Sequence, residues 1–228
     1  MKHASVFGQM KWFTPAFLLL FSFFINACVD KEPVPQEGII GERTLLKNDR
    51  EYVDYLLAEI EKCKAAGTAY NFEDKDGKVV SNPDRRWLEN VYLAQQETGD
   101  VQERACTEKV WSSITVTGTS GYAGGILRVF KSSTNFIRGT GLIFHNNTTA
   151  TPGGHTTMSN NSVTWTCDGW CQDYRLALDG VPQPTSIVMT IFHRNNEGQI
   201  CVTPVTVPNA NVGFNSTLIT SLCFCGAG

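Results

Sequence analysis

Apolar residues keep different spacings in different parts of this 228-residue chain, and each spacing predicts a different kind of structure. Between Asn48 and Gly67, Val53, Leu56, Leu57, Ile60 and Cys63 or Lys64 recur in steps of three and four. That period lays one apolar stripe along a helix, with Gly67 as its stop. Tyr70 to Phe72 and Val79 to Val80 flank Asp74-Lys75-Asp76-Gly77, which reads as a turn within a short hairpin. A second helix is expected to open at Asn82-Pro83-Asp84, where Asn82 can cap and Pro83 fits the first turn. Trp87, Leu88, Val91 and Tyr92 would be its buried face and Gly99 its end.

From Ser112 the period changes to two. The predicted strands are Ser113 to Thr117, Ile126 to Lys131, Phe136 to His145, Val163 to Cys167, Gln172 to Leu178, Ser186 to Arg194, Gln199 to Val207 and Ser216 to Cys225. Between them stand Gly-Tyr-Ala-Gly-Gly, Pro-Gly-Gly, Asp-Gly and several Asn-Asn segments, the residues that tight turns need. About eight short strands at this spacing argue for a mainly β fold, an antiparallel sandwich or barrel, preceded by a small two-helix region. Pro204 and Pro208 place the strand from Gln199 at a sheet edge or at a bend.

The N-terminus has a third pattern. Lys2 and Lys11 precede an apolar run from Phe13 to Ile25, thirteen residues, which is short of the ~20 that span a bilayer. Asn26, Ala27 and Cys28 follow, so residues 1–27 read as a cleavable export signal, with Met10 an alternative start. Ile25-Asn26-Ala27-Cys28 resembles the lipobox of bacterial lipoproteins, in which lipid is attached to the cysteine sulfur. That resemblance implies lipidation of Cys28, membrane anchoring, and an envelope location at the outer membrane, facing the periplasm or the surface. The alternative is an ordinary secretory signal cut after Ala27, leaving Cys28 as a thiol or disulfide partner.

Charge divides what remains. Residues 28–111 hold 18 acids and 12 bases, whereas residues 112–228 hold four acids and five bases, which suggests a boundary near Trp111. The expected organisation is therefore a tether over 28–46, a helical region with its hairpin over 47–111, and a β-sandwich domain over 112–228. A net charge of −3 without any basic stripe excludes nucleic acid as the natural partner.

Export makes disulfides the expected state of the cysteines. Lipidation of Cys28 leaves seven of the eight, so one would stay unpaired, whereas ordinary cleavage leaves an even number. Cys63 and Cys106 could staple the two helices. In Trp165-Thr166-Cys167-Asp168-Gly169-Trp170-Cys171-Gln172-Asp173-Tyr174, a three-residue loop would set Cys167 opposite Cys171 across a hairpin. Cys201 would then pair with Cys223 or Cys225. A four-cysteine zinc site from Cys167, Cys171, Cys223 and Cys225 is the rival reading, and its spacings suit zinc poorly.

Hydrolytic, phosphate-binding and dinucleotide-binding motifs are absent from the sequence. Asp74, Asp76 and Gly77 lack the further ligands of a calcium loop. No metal or other cofactor is assigned. On the pinned loop, Trp170 beside Asp168, with Asp173 and Tyr174 on the returning strand, would stack on and hydrogen-bond to a sugar face. The expectation is an envelope-anchored, non-catalytic binding protein for a neutral glycan or another envelope component. Two alternatives remain: an envelope hydrolase using His145, His155 or His193 with Asp168 or Asp173, and a structural subunit pairing through exposed strand edges.

Overall fold

The computed structural model describes residues 38–74, 76–93, 107–117, 124–133, 136–146, 155–166, 171–179, 185–210 and 216–225. Four short strands and two helices come first: β1 (Ile39–Ile40), β2 (Thr44–Leu46), α1 (Asp49–Ala65), β3 (Tyr70–Glu73), β4 (Val79–Ser81) and α2 (Arg85–Tyr92). Nine strands follow: β5 (Thr107–Thr117), β6 (Gly124–Ser133), β7 (Phe136–Asn146), β8 (His155–Met158), β9 (Val163–Thr166), β10 (Cys171–Asp179), β11 (Thr185–Arg194), β12 (Ile200–Ala210) and β13 (Ser216–Cys223). Among the described residues, no helix is long and apolar enough to cross a membrane.

The helices begin where side chains can satisfy the first free N–H groups. Asn48 Oδ1 accepts from the Glu51 N–H at 3.0 Å, and Glu51 Oε2 accepts from the Lys47 N–H at 2.7 Å, so the two ends of this turn hold each other. At α2 the cap is Asp84, which accepts from the Trp87 N–H at 2.8 Å, and not the expected Asn82. Asn82 is held elsewhere. Its φ of 46° turns the chain, and its Oδ1 accepts from the Tyr70 N–H at 2.8 Å, closing the β3–β4 hairpin.

The strands form two sheets that pack as a mainly β sandwich and do not close into a barrel. The larger runs β1-β12-β11-β5-β8-β3-β4, with β2 also on β12 and β9 also on β5; the smaller runs β13-β10-β6-β7. All pairings are antiparallel except β3 with β8, so the larger sheet is mixed. Two facing apolar layers fill the space between the sheets. Val110, Ile114, Met189, Ile191 and Val205 come from the larger sheet, and Leu127, Val129, Ile143, Tyr174 and Leu222 from the smaller. At Gly141 the smaller sheet comes close against Val163 of the larger, where any Cβ would collide with the valine side chain, so the position favours glycine.

The helices cover the other face of the larger sheet. Tyr52, Val53, Leu56 and Ile60 of α1 and Leu88 of α2 pack on Tyr70, Phe72, Trp111, Phe192 and Val202, and each such buried side chain contributes about 1.5–3 kcal/mol.

The structure corrects several expectations. The supposed boundary near Trp111 lies inside β5, and Pro35–Gly228 cluster as one unit, because alternate residues of that strand serve both cores. Part of the expected tether, 39–46, is strand bonded to β12. This also moves β12 off the edge: Pro204 sits where the covering chain breaks between β1 and β2, and its carbonyl accepts from the Gly41 N–H at 2.8 Å.

The Cys167–Cys171 hairpin is not formed by its flanking strands. Thr166 of β9 pairs with Thr107 in the larger sheet, whereas Cys171 of β10 pairs with Ser132 and Cys223 in the smaller one. Trp165 therefore faces Glu108 and not Asp173.

Candidate functional site

Between the helices and the larger sheet lies a cavity of about 500 Å³, and its wall is assembled from six separate stretches of chain. The first turn of α1 supplies Asp49 and Tyr52; the β3–β4 turn supplies Glu73, Asp74 and Asp76. From α2 come Trp87, Asn90, Val91 and Tyr92, and from β5 come Lys109 and Trp111. The β8–β9 connection, Ser159 to Ser162, and Arg194 complete it.

The aromatic part is rigid. Tyr52 meets Tyr92, Trp111 and Phe192 edge to face at 5.1, 5.5 and 5.4 Å, and Trp111 stacks on Phe192 at 5.6 Å. Trp111 Nε1 donates to the Tyr52 hydroxyl at 2.8 Å, which satisfies an indole N–H that would otherwise be buried without a partner. Burial, reinforced by nearby Tyr92 and Tyr70, pushes the Tyr52 hydroxyl well above its ordinary pKa, so it stays a neutral donor and acceptor.

The polar part is fixed by a few short bonds. Arg194 and the buried Asp49 form an ion pair at 2.7 Å. Lys109 Nζ stands 5.7 Å over the Trp111 ring. Burial and then Arg194 lower its pKa, partly opposed by Asp49. Asp74 Oδ1 accepts from the N–H groups of Asp76 and Lys78 at 2.9 and 2.8 Å, so it shapes the turn in place of a calcium ligand's role. Asn160 Nδ2 donates to the Asp74 carbonyl at 2.8 Å and ties that turn to the β8–β9 connection.

The histidines belong to other places. His145 and Ser112 meet between the sheets, Nε2 to Oγ at 2.8 Å, and burial lowers the His145 pKa to about 3. His193 pairs with Glu108 at 3.5 Å, also between the sheets, under the edge of Phe224. His145 and His193 thus have different partners four residues apart on β5, and among the described residues no histidine lines the cavity. The side chain of His155 lies outside the described residues.

Of the residues expected to bind ligand, Tyr174 is buried among the inter-sheet aliphatics, since β10 is a central strand and Tyr174 faces inward; it is not at a surface. Asp173 lies on the same strand, and its side chain is outside the described residues, as are Trp170, Asp168, Cys167, Cys106 and Cys28. Cys63 is a free thiol, correcting the expected staple; at the end of α1 it faces Thr156 Oγ1 at 3.9 Å. Cys201 bonds to Cys225, and Cys223 is disulfide-bonded as well, which removes two of the four thiolates of the zinc alternative. Of Cys171 the backbone alone is described.

Reading by sequence missed Lys109, Trp111, Asn90 and Asn160 as site residues and treated Trp87 as core. A Trp-and-Asn census would have raised all of these but Lys109, and nothing local to each joins them. No protein-family model, no curated protein and no solved structure matches this chain.

Proposed function

We propose that this protein is an envelope-anchored, non-catalytic binding protein, held to the membrane by lipid on Cys28, whose cavity beneath the helices receives a glycan or another hydroxyl-rich envelope component. The observation that carries the reading is the cavity wall, where Trp87, Tyr92 and Trp111 stand beside Asn90, Asn160, Asn161 and carboxylates. Aromatic faces take the apolar side of a sugar ring while amides and carboxylates take its hydroxyls. Two of the three histidines of the hydrolase alternative, His145 and His193, lie on the far side of the larger sheet from this cavity, which favours the binding reading. The structural-subunit alternative rests on β7, which pairs only with β6 among the described residues and exposes Leu142 and Phe144.

The test is retention of the full-length mature protein on an array of envelope and host glycans. Trp87→Ala should reduce binding at least tenfold; Asn90→Ala, on an exposed position outside the aromatic cluster, should weaken it about three- to tenfold with the melting temperature unchanged. A parent that binds no glycan, or both variants binding like the parent, would overturn the reading. Separately, Cys28→Ser should release the protein from membranes and abolish fatty-acid labelling; a parent that takes no label would refute the anchor.

A further inference from the structure

The first strands of the fold leave large aliphatic side chains in solvent. Ile39 and Ile40 of β1 are 61% and 42% exposed and Leu45 of β2 is 42% exposed, although these residue types normally fill cores. Pairing on β12 fixes their faces. Ile40 opposite Val205 and Leu45 opposite Cys201 share the face turned toward the smaller sheet, and Ile39 opposite Thr206 takes the other. No strand lies beyond β1 and β2 among the described residues, so the three side chains follow one rim of the sandwich. Arg43, between the two strands, donates to the Cys223 carbonyl at 2.8 Å, which brings the end of β13 to the same rim. The other exposed large hydrophobic side chains among the described residues, Val79, Leu142 and Phe144, stand on β4 and β7, at the opposite edges of the two sheets.

Residues 29–38 are all that separates Cys28 from β1, and eleven Cα steps reach at most ~40 Å. Lipid on that cysteine would keep this rim, of all the edges, close to the bilayer, and a surface so confined needs little affinity of its own to stay down. Resting on the lipid anchor proposed above, we infer that the rim is a membrane-docking edge. Ile39, Ile40 and Leu45 enter the boundary between headgroups and acyl chains, and the domain lies on the membrane instead of standing off it. Headgroup charge contributes little: Arg43, Lys47 and Arg50 stand beside Glu42 and Glu51, and residues 29–38 add Asp30, Glu32 and Glu37 against Lys31. The outer backbone edges of β1 and β2 limit the depth, because their polar groups find partners among headgroups and water and would lose them in hydrocarbon. In the order β1-β12-β11-β5, two strands separate the rim from Lys109 and Trp111, so docking leaves that part of the cavity wall clear of lipid.

Neutron reflectometry tests it on the lipidated full-length mature protein, reconstituted into supported bilayers of phosphatidylethanolamine and phosphatidylcholine. The protein layer should begin at the headgroups with no water gap, and neither molar salt nor added phosphatidylglycerol should move it. Joint Ile40→Glu and Leu45→Glu replacement should open a water gap, at most the ~40 Å that the connecting residues can span. Both positions are exposed, so the melting temperature and the fatty-acid labelling should hold. The same replacements at Leu142 and Phe144, on the far edge, should leave the layer seated. A gap beneath the parent, or a layer still seated in the Ile40→Glu, Leu45→Glu protein, would overturn the inference while leaving the anchor intact. A Cys28→Ser protein that sediments as a dimer, and as a monomer once Ile40 and Leu45 are replaced, would overturn it too, because the rim would then serve a second copy. A parent that takes no fatty acid would overturn both the docking and the anchor.

Discussion

The two faces of the nine-stranded sheet are built from the same strands and differ in almost every other respect. Along β5, Val110, Ser112 and Ile114 face the smaller sheet, whereas Lys109, Trp111 and Ser113 face the helices. The first set is small or aliphatic, so two sheets can close until Gly141 lies against Val163. The long and aromatic side chains of the second set do not interdigitate so closely under the two helices, and they carry polar tips that need partners. What remains is a packed aromatic patch bonded through Trp111 and Tyr52, with a cavity beside it. One face is built for cohesion; the other leaves a cavity beside its aromatic patch. Interiors approach crystal density wherever shape allows, so a cavity of this size beside buried aromatics marks a surface kept open by side-chain choice.

The comparison breaks most visibly at Tyr52. It is fully buried, touches three rings and accepts the Trp111 indole hydrogen bond. Tyr52→Ala should lower stability by about 3–5 kcal/mol, a large part of a typical domain's margin. Tyr52→Phe should cost about 1–3 kcal/mol, through the orphaned indole N–H and the lost hydrogen bond to Tyr92. Urea titrations of both variants, followed by tryptophan fluorescence, would measure this. A loss below 1 kcal/mol for the alanine variant would mean that the aromatic patch is not what fastens α1 to the sheet.

Which parts of this were legible in the sequence depended on length. Helix α1 and strands β6, β7 and β10 to β13 carry enough turns or alternations for their periods to be read, and their spans fall close to those expected, whereas β5 begins six residues before the expected Ser113. β1, β2 and β8 have two to four residues each; they exist because β12, β5 and β3 offer them hydrogen bonds, which no local pattern records. The hairpin was misread for a related reason: the spacing of Cys167 and Cys171 fixes a loop length and does not say that β9 and β10 enter different sheets. The site was the least legible part. Lys109 and Trp111 stood in what looked like a charge boundary, and Trp87 in what looked like a plain apolar helix face. Only the packing of α2 over β5 puts them around one space.

The cohesive face has its own weak point in His145. Burial holds its pKa near 3, against an ordinary value of about 6.5 in the unfolded chain. The unfolded state therefore binds a proton that the folded state refuses, and stability from this residue is complete above about pH 6.5 and falls away as pH drops toward 3. At pH 5 the loss is about 2 kcal/mol. His145→Gln keeps a group that can reach Ser112 and does not titrate. Its unfolding free energy should fall about 2 kcal/mol less than the parent's between pH 7 and pH 5. Parallel pH profiles for the two proteins would show that His145 is free to protonate in the folded state.

The smallest effect is expected at Asn160, and it sharpens the contrast between the faces. Its amide donates to the Asp74 carbonyl at an exposed site and links the acidic turn to the β8–β9 connection. A neutral hydrogen bond at such a site contributes about 0.5–1.5 kcal/mol, so Asn160→Ala should barely move the melting temperature. The consequence should instead be local, because regions with few buried apolar contacts open on their own while a packed core opens only with the whole. Amide hydrogen exchange should quicken at Asp76, Gly77 and Lys78, whose N–H groups are bonded only within the turn. The amides of Val110 and Ile114, in the ladders between β11, β9 and β8, should exchange as in the parent. Faster exchange at all of these positions together would show that the cavity rim and the inter-sheet core unfold as one, and that the two faces differ in composition without differing in mobility.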